Sequence, residues 1–171
     1  MRASELRGLV WSAVDFDAKT ITVHQRADEW GTIGNPKSQA GQRAIPMAGY
    51  LLNTLREWKL ACPNGKLGFV FPNGAGNVDR FSNLTSRVWY PLQQAAGLAD
   101  EHGRPRFNFH TLRHYAASVW ITAGFTPKRL QGLLGHSSIK MTYDTYGHLF
   151  PSTEDDHAKF TRIERDIGLV A

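Results

Sequence analysis

The chain has 171 residues, 42% hydrophobic and 20% charged, which suits one folded domain with a real core and excludes a disordered chain. It has no run of about 18 apolar residues to span a membrane and no apolar secretory stretch near its start. Its single cysteine, Cys62, excludes an internal disulfide framework and a cysteine-based zinc ribbon, so a reducing compartment is the expected setting. The net charge is +5 and the pI is near 9.6, a footprint of nucleic-acid binders that many other basic proteins share. Residues 101–150 carry six basic and two acidic side chains and five of the seven histidines, whereas residues 151–171 carry three basic and five acidic ones.

In chain order, Arg2–Val10 reads as the end of a helix, with Leu6, Leu9 and Val10 at helical spacing and no N-cap ahead of it. A domain that opens inside an element is expected to be cut from something longer. Lys19–His24 alternates and is rich in β-branched residues, the signature of a strand. Residues 31–36 and Arg43–Pro46 read as two more short strands, with Ser38–Gly41 as the turn, so a small antiparallel meander is expected. The rest reads as helical. Residues 47–60 place Leu51, Leu52, Leu55 and Trp58 on one face, and Gly68–Phe71 looks like an edge strand. Residues 82–96 place Leu84, Val88, Leu92 and Ala96 in register. A helix over about 110–123 stops at Gly124. The next has Thr126 as N-cap and Pro127 at its first position and stops at Gly135. Ser137 or Ser138 caps a helix through Tyr146, and residues 153–167 form a polar helix with Phe160, Ile163 and Ile167 on its apolar side. The fold class is therefore α+β, mainly helical, with a small antiparallel three-stranded sheet near the N-terminus.

The chemistry concentrates in four places. In Phe109–Tyr115, His110, Arg113 and His114 share one side of a helix turn. His110 lies at the helix N-terminus, where free N–H groups and the dipole favour an anion, and Arg113 offers a fork to phosphate oxygens. The same histidines, at i and i+4, are also a zinc-type spacing, but Thr111 stands where the helical zinc hydrolases need Glu. His114 alone fits a buried histidine equally well. In Leu133–Ile139, His136 follows a helix-ending glycine, and Tyr146 comes ten residues later; a tyrosine there is more often packing than chemistry. Arg2 precedes Glu5 by three residues, and Lys37 precedes a tight turn, where lysine commonly just protects a strand edge. Together these supply cations, imidazoles and a phenol with hardly any carboxylate. Guanidiniums and imidazoles can neutralise a pentavalent phosphodiester, a tyrosine can attack it and a lysine can protonate the departing oxygen. A metal-dependent nuclease would need clustered Asp and Glu, and residues 101–150 hold only Glu101 and Asp144.

In order along the chain, Arg2-Ala-Ser-Glu-Leu6, Pro36–Pro46 with Lys37, His110-Thr-Leu-Arg-His114, Leu134-Gly-His136 and Tyr146-Gly-His-Leu149 resemble the motifs of the tyrosine recombinases, the phage-integrase family. The resemblance spans residues 2 to about 150 and implies the DNA breaking–rejoining catalytic fold. It implies that Arg2 and Arg113 clamp the scissile phosphate, that His136 adds a hydrogen bond to it and that Lys37 is the general acid. It further implies that His110 assists as proton acceptor near the nucleophile and that Tyr146 becomes linked to the 3′-phosphate. Glu5 supports the site, and His114 is a helper or packing residue. Tyr143 competes with Tyr146, but Gly147-His-Leu after the latter matches the family box.

The resemblance also implies that neither metal nor nucleotide cofactor is needed. The expected partners are double-stranded DNA at an attachment or recombination site, other protomers in a DNA-bound tetramer, and accessory DNA-bending or directionality proteins, with no membrane. The expected setting is the bacterial cytoplasm or nucleoid, and the expected role is integration or excision of a phage or mobile element. The expected domain is residues 1–171, shortened at its N-terminus, with a tail over 152–171 that docks on its own domain or on a neighbouring protomer. A non-catalytic DNA-binding remnant, a type IB topoisomerase-like enzyme and a zinc hydrolase are the competing functions.

Overall fold

The structure is a computed structural model, and it describes residues 1–150 and 156–166. Its first helix, α1 (Ala3–Arg7), is a short one that stops at Gly8. It does have an N-terminal cap: the Glu5 carboxylate accepts the Arg2 backbone N–H at 2.7 Å. The sequence shows none of the usual capping residues there, so this cap escapes a motif search. A Cβ on Gly8 would lie 2.7 Å from the backbone of Arg26 and Ala27, so glycine lets the chain pass close at this point. Leu9 and Val10 lie beyond the helix, in the core.

Five strands follow: β1 (Val14–Asp15), β2 (Thr20–Val23), β3 (Arg26–Ala27), β4 (Ile33–Gly34) and β5 (Arg43–Pro46). The three-stranded antiparallel sheet has the order β1-β2-β5, with Val14 opposite Ile21 and Val23 opposite Arg43. The segment expected to supply a strand over 31–36 instead forms β4 and pairs with β3 in a separate hairpin. Two residues of β1 are too few to show a period in sequence, so the third strand was not visible there. The expected edge strand at Gly68–Phe71 reduces to one bridge, Phe69 to Val10, that seals the core beneath helix α2 (Gly49–Ala61). Leu52, Leu55, Phe69 and Val70 are buried there with Leu9, Val14 and Ile21, whereas Leu51 is exposed.

The run expected over 82–96 is helical but presents a different face. It consists of α3 (Phe81–Leu84), a π-turn over Thr85–Trp89, and α4 (Tyr90–Ala95). Val88 and Leu92, placed on the inner face by a 3.6-residue period, are 54% and 55% exposed; Trp89 and Gln93 are buried instead. The π-turn adds a residue to the turn and rotates everything after it, and Pro91 has no N–H to restore the ordinary ladder. The Gln93 amide then clamps the Phe107 backbone, donating to its carbonyl and accepting its N–H, both at 2.9 Å. Trp89 Nε1 donates to the same carbonyl at 2.9 Å.

This clamp leads into α5 (Thr111–Thr122), which is followed by α6 (Pro127–Leu134) and α7 (Ile139–Tyr146). Thr126 caps α6, Gly135 ends it in the left-handed conformation at φ 68°, and Ser138 caps α7. Ala117, Ile121, Leu130, Leu134 and Tyr146 form a second core cluster. The last helix among the described residues is α8 (Asp156–Asp166). The ends of the helix expected over 153–167, including Ile167, lie outside the described residues; Phe160 and Ile163 are exposed. No described helix is long and apolar enough to cross a membrane.

The rotated face gives a direct test by denaturant unfolding. Trp89→Ala is expected to cost about 3–5 kcal/mol, and Leu92→Ala less than about 1 kcal/mol because Leu92 is already in water.

Candidate active site

The site is assembled around the C-terminal end of α6, where the last carbonyls of a helix lack intrahelical partners and carry the negative end of its dipole. Three arginines from three different elements donate to three successive carbonyls. Arg43 on β5 gives Nε to the Leu133 carbonyl at 2.7 Å. Arg113, in the first turn of α5, gives Nη2 to Leu134 in a very short bond. Arg2, at the N-cap of α1, gives Nη2 to Gly135 at 3.4 Å. Gly135 suits its left-handed backbone angle, and a Cβ there would lie 2.7 Å from Arg43 Nη1 and 3.0 Å from the Ala40 carbonyl oxygen, displacing the guanidinium.

One carboxylate balances these charges. Glu5 is 2% exposed and accepts from Arg43 Nη1 and Nη2 at 3.1 and 2.8 Å and from Arg2 Nη1 at 3.1 Å. Burial alone would raise its pKa, but the bonds to Arg43 and the Arg2 backbone prevail and hold it at about 2. Sequence reasoning assigned no role to Arg43. The available signal was a charge within a short strand pattern, which is ambiguous until the partner strand is known.

Arg113 is 5% exposed, and its Nη1 is buried with no hydrogen-bond partner. Its pKa falls to about 10, through burial first and then the neighbouring Arg2, with Glu5 opposing. His136, directly after Gly135, is also buried; its Nδ1 lies 3.0 Å from Thr142 Oγ1. Burial, followed by the charges of Arg113, Arg2 and Arg43, lowers its pKa to about 4, so the ring is neutral at physiological pH.

Tyr146 is 3% exposed. Its hydroxyl lies 2.9 Å from His114 Nδ1, and its ring stacks parallel to His136 at 6.3 Å. Burial raises its pKa, and Arg113 opposes the rise. His110 stands one layer back, edge-on to His114 with ring centroids 5.0 Å apart. Its pKa is lowered by burial and then by His114. The residue that meets the tyrosine hydroxyl is therefore His114 rather than His110. No third histidine, cysteine or carboxylate joins the two in a metal-binding group among the described residues.

Tyr143 is half exposed and packs on Phe150, away from this cluster. Lys37 is exposed on the segment between β4 and β5 and lines an open cleft of about 510 Å³ with Arg7, Arg26 and Trp30. It makes no hydrogen bond to the other site residues. Six of the eight residues singled out from sequence (Arg2, Glu5, Arg113, His114, His136 and Tyr146) thus contact one another or the end of α6. His110 adjoins them, and Lys37 stands apart.

Because the Glu5 pKa falls on folding, its contribution to stability is present above the unfolded value and lost as pH drops. Lowering pH from about 5 to 2 is expected to remove about 3 kcal/mol of stability through this group. Glu5→Gln is expected to flatten that part of the profile, measured by denaturant unfolding across pH.

The phage integrase family model matches residues 1–153. A tyrosine recombinase XerC of Xylella fastidiosa is 33% identical over 149 residues, covering 87% of this chain and 44% of that protein. The transposase of transposon Tn916 from Enterococcus faecalis is 28% identical over 183 residues, covering all of this chain and 45% of that protein. The structure of the Tn1549 transposon integrase in complex with transposon right end DNA superposes with a TM-score of 0.73 at 26% identity, covering 96% of this chain and 54% of that one. The chain spans less than half the length of the curated relatives it matches. With three arginines gathered on one helix end beside a histidine-bonded tyrosine, and with the family model matching nearly its whole described length, this chain belongs to the phage integrase family of tyrosine recombinases.

Proposed function

We propose that residues 1–171 are the catalytic domain of a site-specific recombinase that cleaves and rejoins double-stranded DNA through a 3′-phosphotyrosine, in integration or excision of a mobile element. The observation that carries this reading is the unpartnered, buried Nη1 of Arg113 in a cluster of three arginines and one carboxylate, beside the Tyr146 hydroxyl. Such a cluster has surplus positive charge and unmet hydrogen-bonding capacity, and a DNA phosphate supplies both what it lacks.

In this reading Arg2 and Arg113 receive the non-bridging oxygens and His136 adds a neutral donor. The Tyr146 oxygen attacks phosphorus while His114, already on the hydroxyl, takes its proton. His110 supports His114 from behind. The bond from phosphorus to the 5′-oxygen breaks, and that oxygen receives a proton from Lys37, which closes on it when DNA seats. Glu5 and Arg43 hold Arg2 and the α6 terminus in place. The chemistry calls for no metal or nucleotide, because the phosphotyrosine keeps the phosphoester bond for the rejoining strand. The protein works in the cytoplasm, in a DNA-bound tetramer, with accessory bending or directionality proteins on longer sites. Phe160 and Ile163, exposed on α8, face a neighbouring protomer in that assembly. Removal of residues 152–171 then weakens pairing of two sites more than binding of one.

Covalent capture on nicked duplexes of candidate attachment sites, with EDTA present, tests this. An adduct on Tyr146 is expected, lost in Tyr146→Phe and kept in Tyr143→Phe. Arg113→Ala is expected to slow capture by about 10²–10³-fold and His114→Ala by about 10²-fold or more. DNA binding without any adduct would favour a non-catalytic DNA-binding module.

A further inference from the structure

Thr142 lies one helical turn before Tyr146 and is fully buried. Four helical hydroxyls elsewhere give their proton to the backbone one turn back: Thr54 to Tyr50, Ser86 to Ser82, Ser118 to His114 and Thr122 to Ser118. Thr142 makes no such bond. Its one partner among the described residues is His136 Nδ1, at 3.0 Å.

The direction of that bond follows from the burial. If Nδ1–H donated to the hydroxyl, the threonine proton would be buried without an acceptor, and Nε2 would have no proton to offer an anion. If the hydroxyl donates, both problems disappear. We propose that Thr142 is a positioning residue, whose hydroxyl donates to His136 Nδ1 and holds the imidazole as its Nε2–H tautomer, so that an N–H donor meets the phosphate. This rests on the reading of the site as a phosphodiester site and adds to it the residue that sets the donor. Burial, and then the charges of Arg113, Arg2 and Arg43, keep the ring from taking a second proton, which leaves the tautomer as the property still to be decided. Because Thr142 and Tyr146 share α7, the same helix that places the nucleophile also sets the tautomer of His136.

Nitrogen NMR of the His136 ring in the full 171-residue chain, without DNA, reads the tautomer directly. The wild type is expected to carry its proton on Nε2. Thr142→Ser is expected to keep it there, and Thr142→Val, of nearly the same shape, to shift it toward Nδ1 or a mixture. In covalent capture, Thr142→Val is expected to lose about 10–100-fold, part of what one lost donor costs. Thr142→Ser is expected to recover most of that loss, and Thr142→Val is expected to cost nothing further when His136 is already Ala. A wild-type proton on Nδ1, an unchanged tautomer in Thr142→Val, or an equal loss in the His136→Ala background would each overturn the proposal. If the chain binds the nicked duplexes and no variant captures them while the tautomer shifts as expected, the recombinase reading fails and the positioning role stands.

Discussion

The three hydrogen bonds from Arg43, Arg113 and Arg2 to the carbonyls of Leu133, Leu134 and Gly135 are the constraint on which the rest of the structure depends. A helix terminus needs partners for its last carbonyls, and here the partners are side chains from the sheet, from α5 and from the N-cap of α1. Meeting that need in this way brings together segments more than 130 residues apart in the chain. It also sets the position of His136, the next residue after Gly135. Glu5 makes the arrangement tolerable: without its carboxylate, buried and bonded to two of the arginines, the guanidiniums would repel one another in a poorly solvated place.

The balance is deliberately incomplete in its charge. One carboxylate facing three guanidiniums leaves a surplus that is felt throughout the site. It helps burial to lower the pKa values of Arg113 and His136, and it opposes the upward push of burial on Tyr146. On the reading of this cluster as a phosphate site, a bound anion would offset the surplus felt by Arg113 and His136. The tyrosine is held back in the same site: buried and protonated, with its hydroxyl already on His114.

Much of this was legible in the sequence. The end of α5 followed from Gly124, both ends of α6 from Thr126, Pro127 and Gly135, and the start of α7 from Ser137 or Ser138, of which the structure uses Ser138, because caps and left-handed glycines are local demands of the backbone. The motif residues were also legible, because a cation-rich, carboxylate-poor set with a tyrosine admits few chemistries. Less was visible where the fold departs from a regular period. The π-turn at Thr85–Trp89 moved the buried face from Val88 and Leu92 to Trp89 and Gln93. Two-residue strands left the sheet partners open, so Val14–Asp15, and not residues 31–36, supplies the third strand.

The sequence by itself determined the ends of α6, the family motifs and the class of chemistry, since each depends on residue types at short spacing. Only the tertiary structure decided which of two adjacent histidines meets the tyrosine and which of two tyrosines is buried. Both choices turn on how α6 seats α7 beside α5, which no local pattern encodes. The same holds for Arg43. An arginine on a strand is unremarkable until the register of β5 against β2 and the end of α6 place it over Glu5, and that placement exists only once the chain has closed on itself.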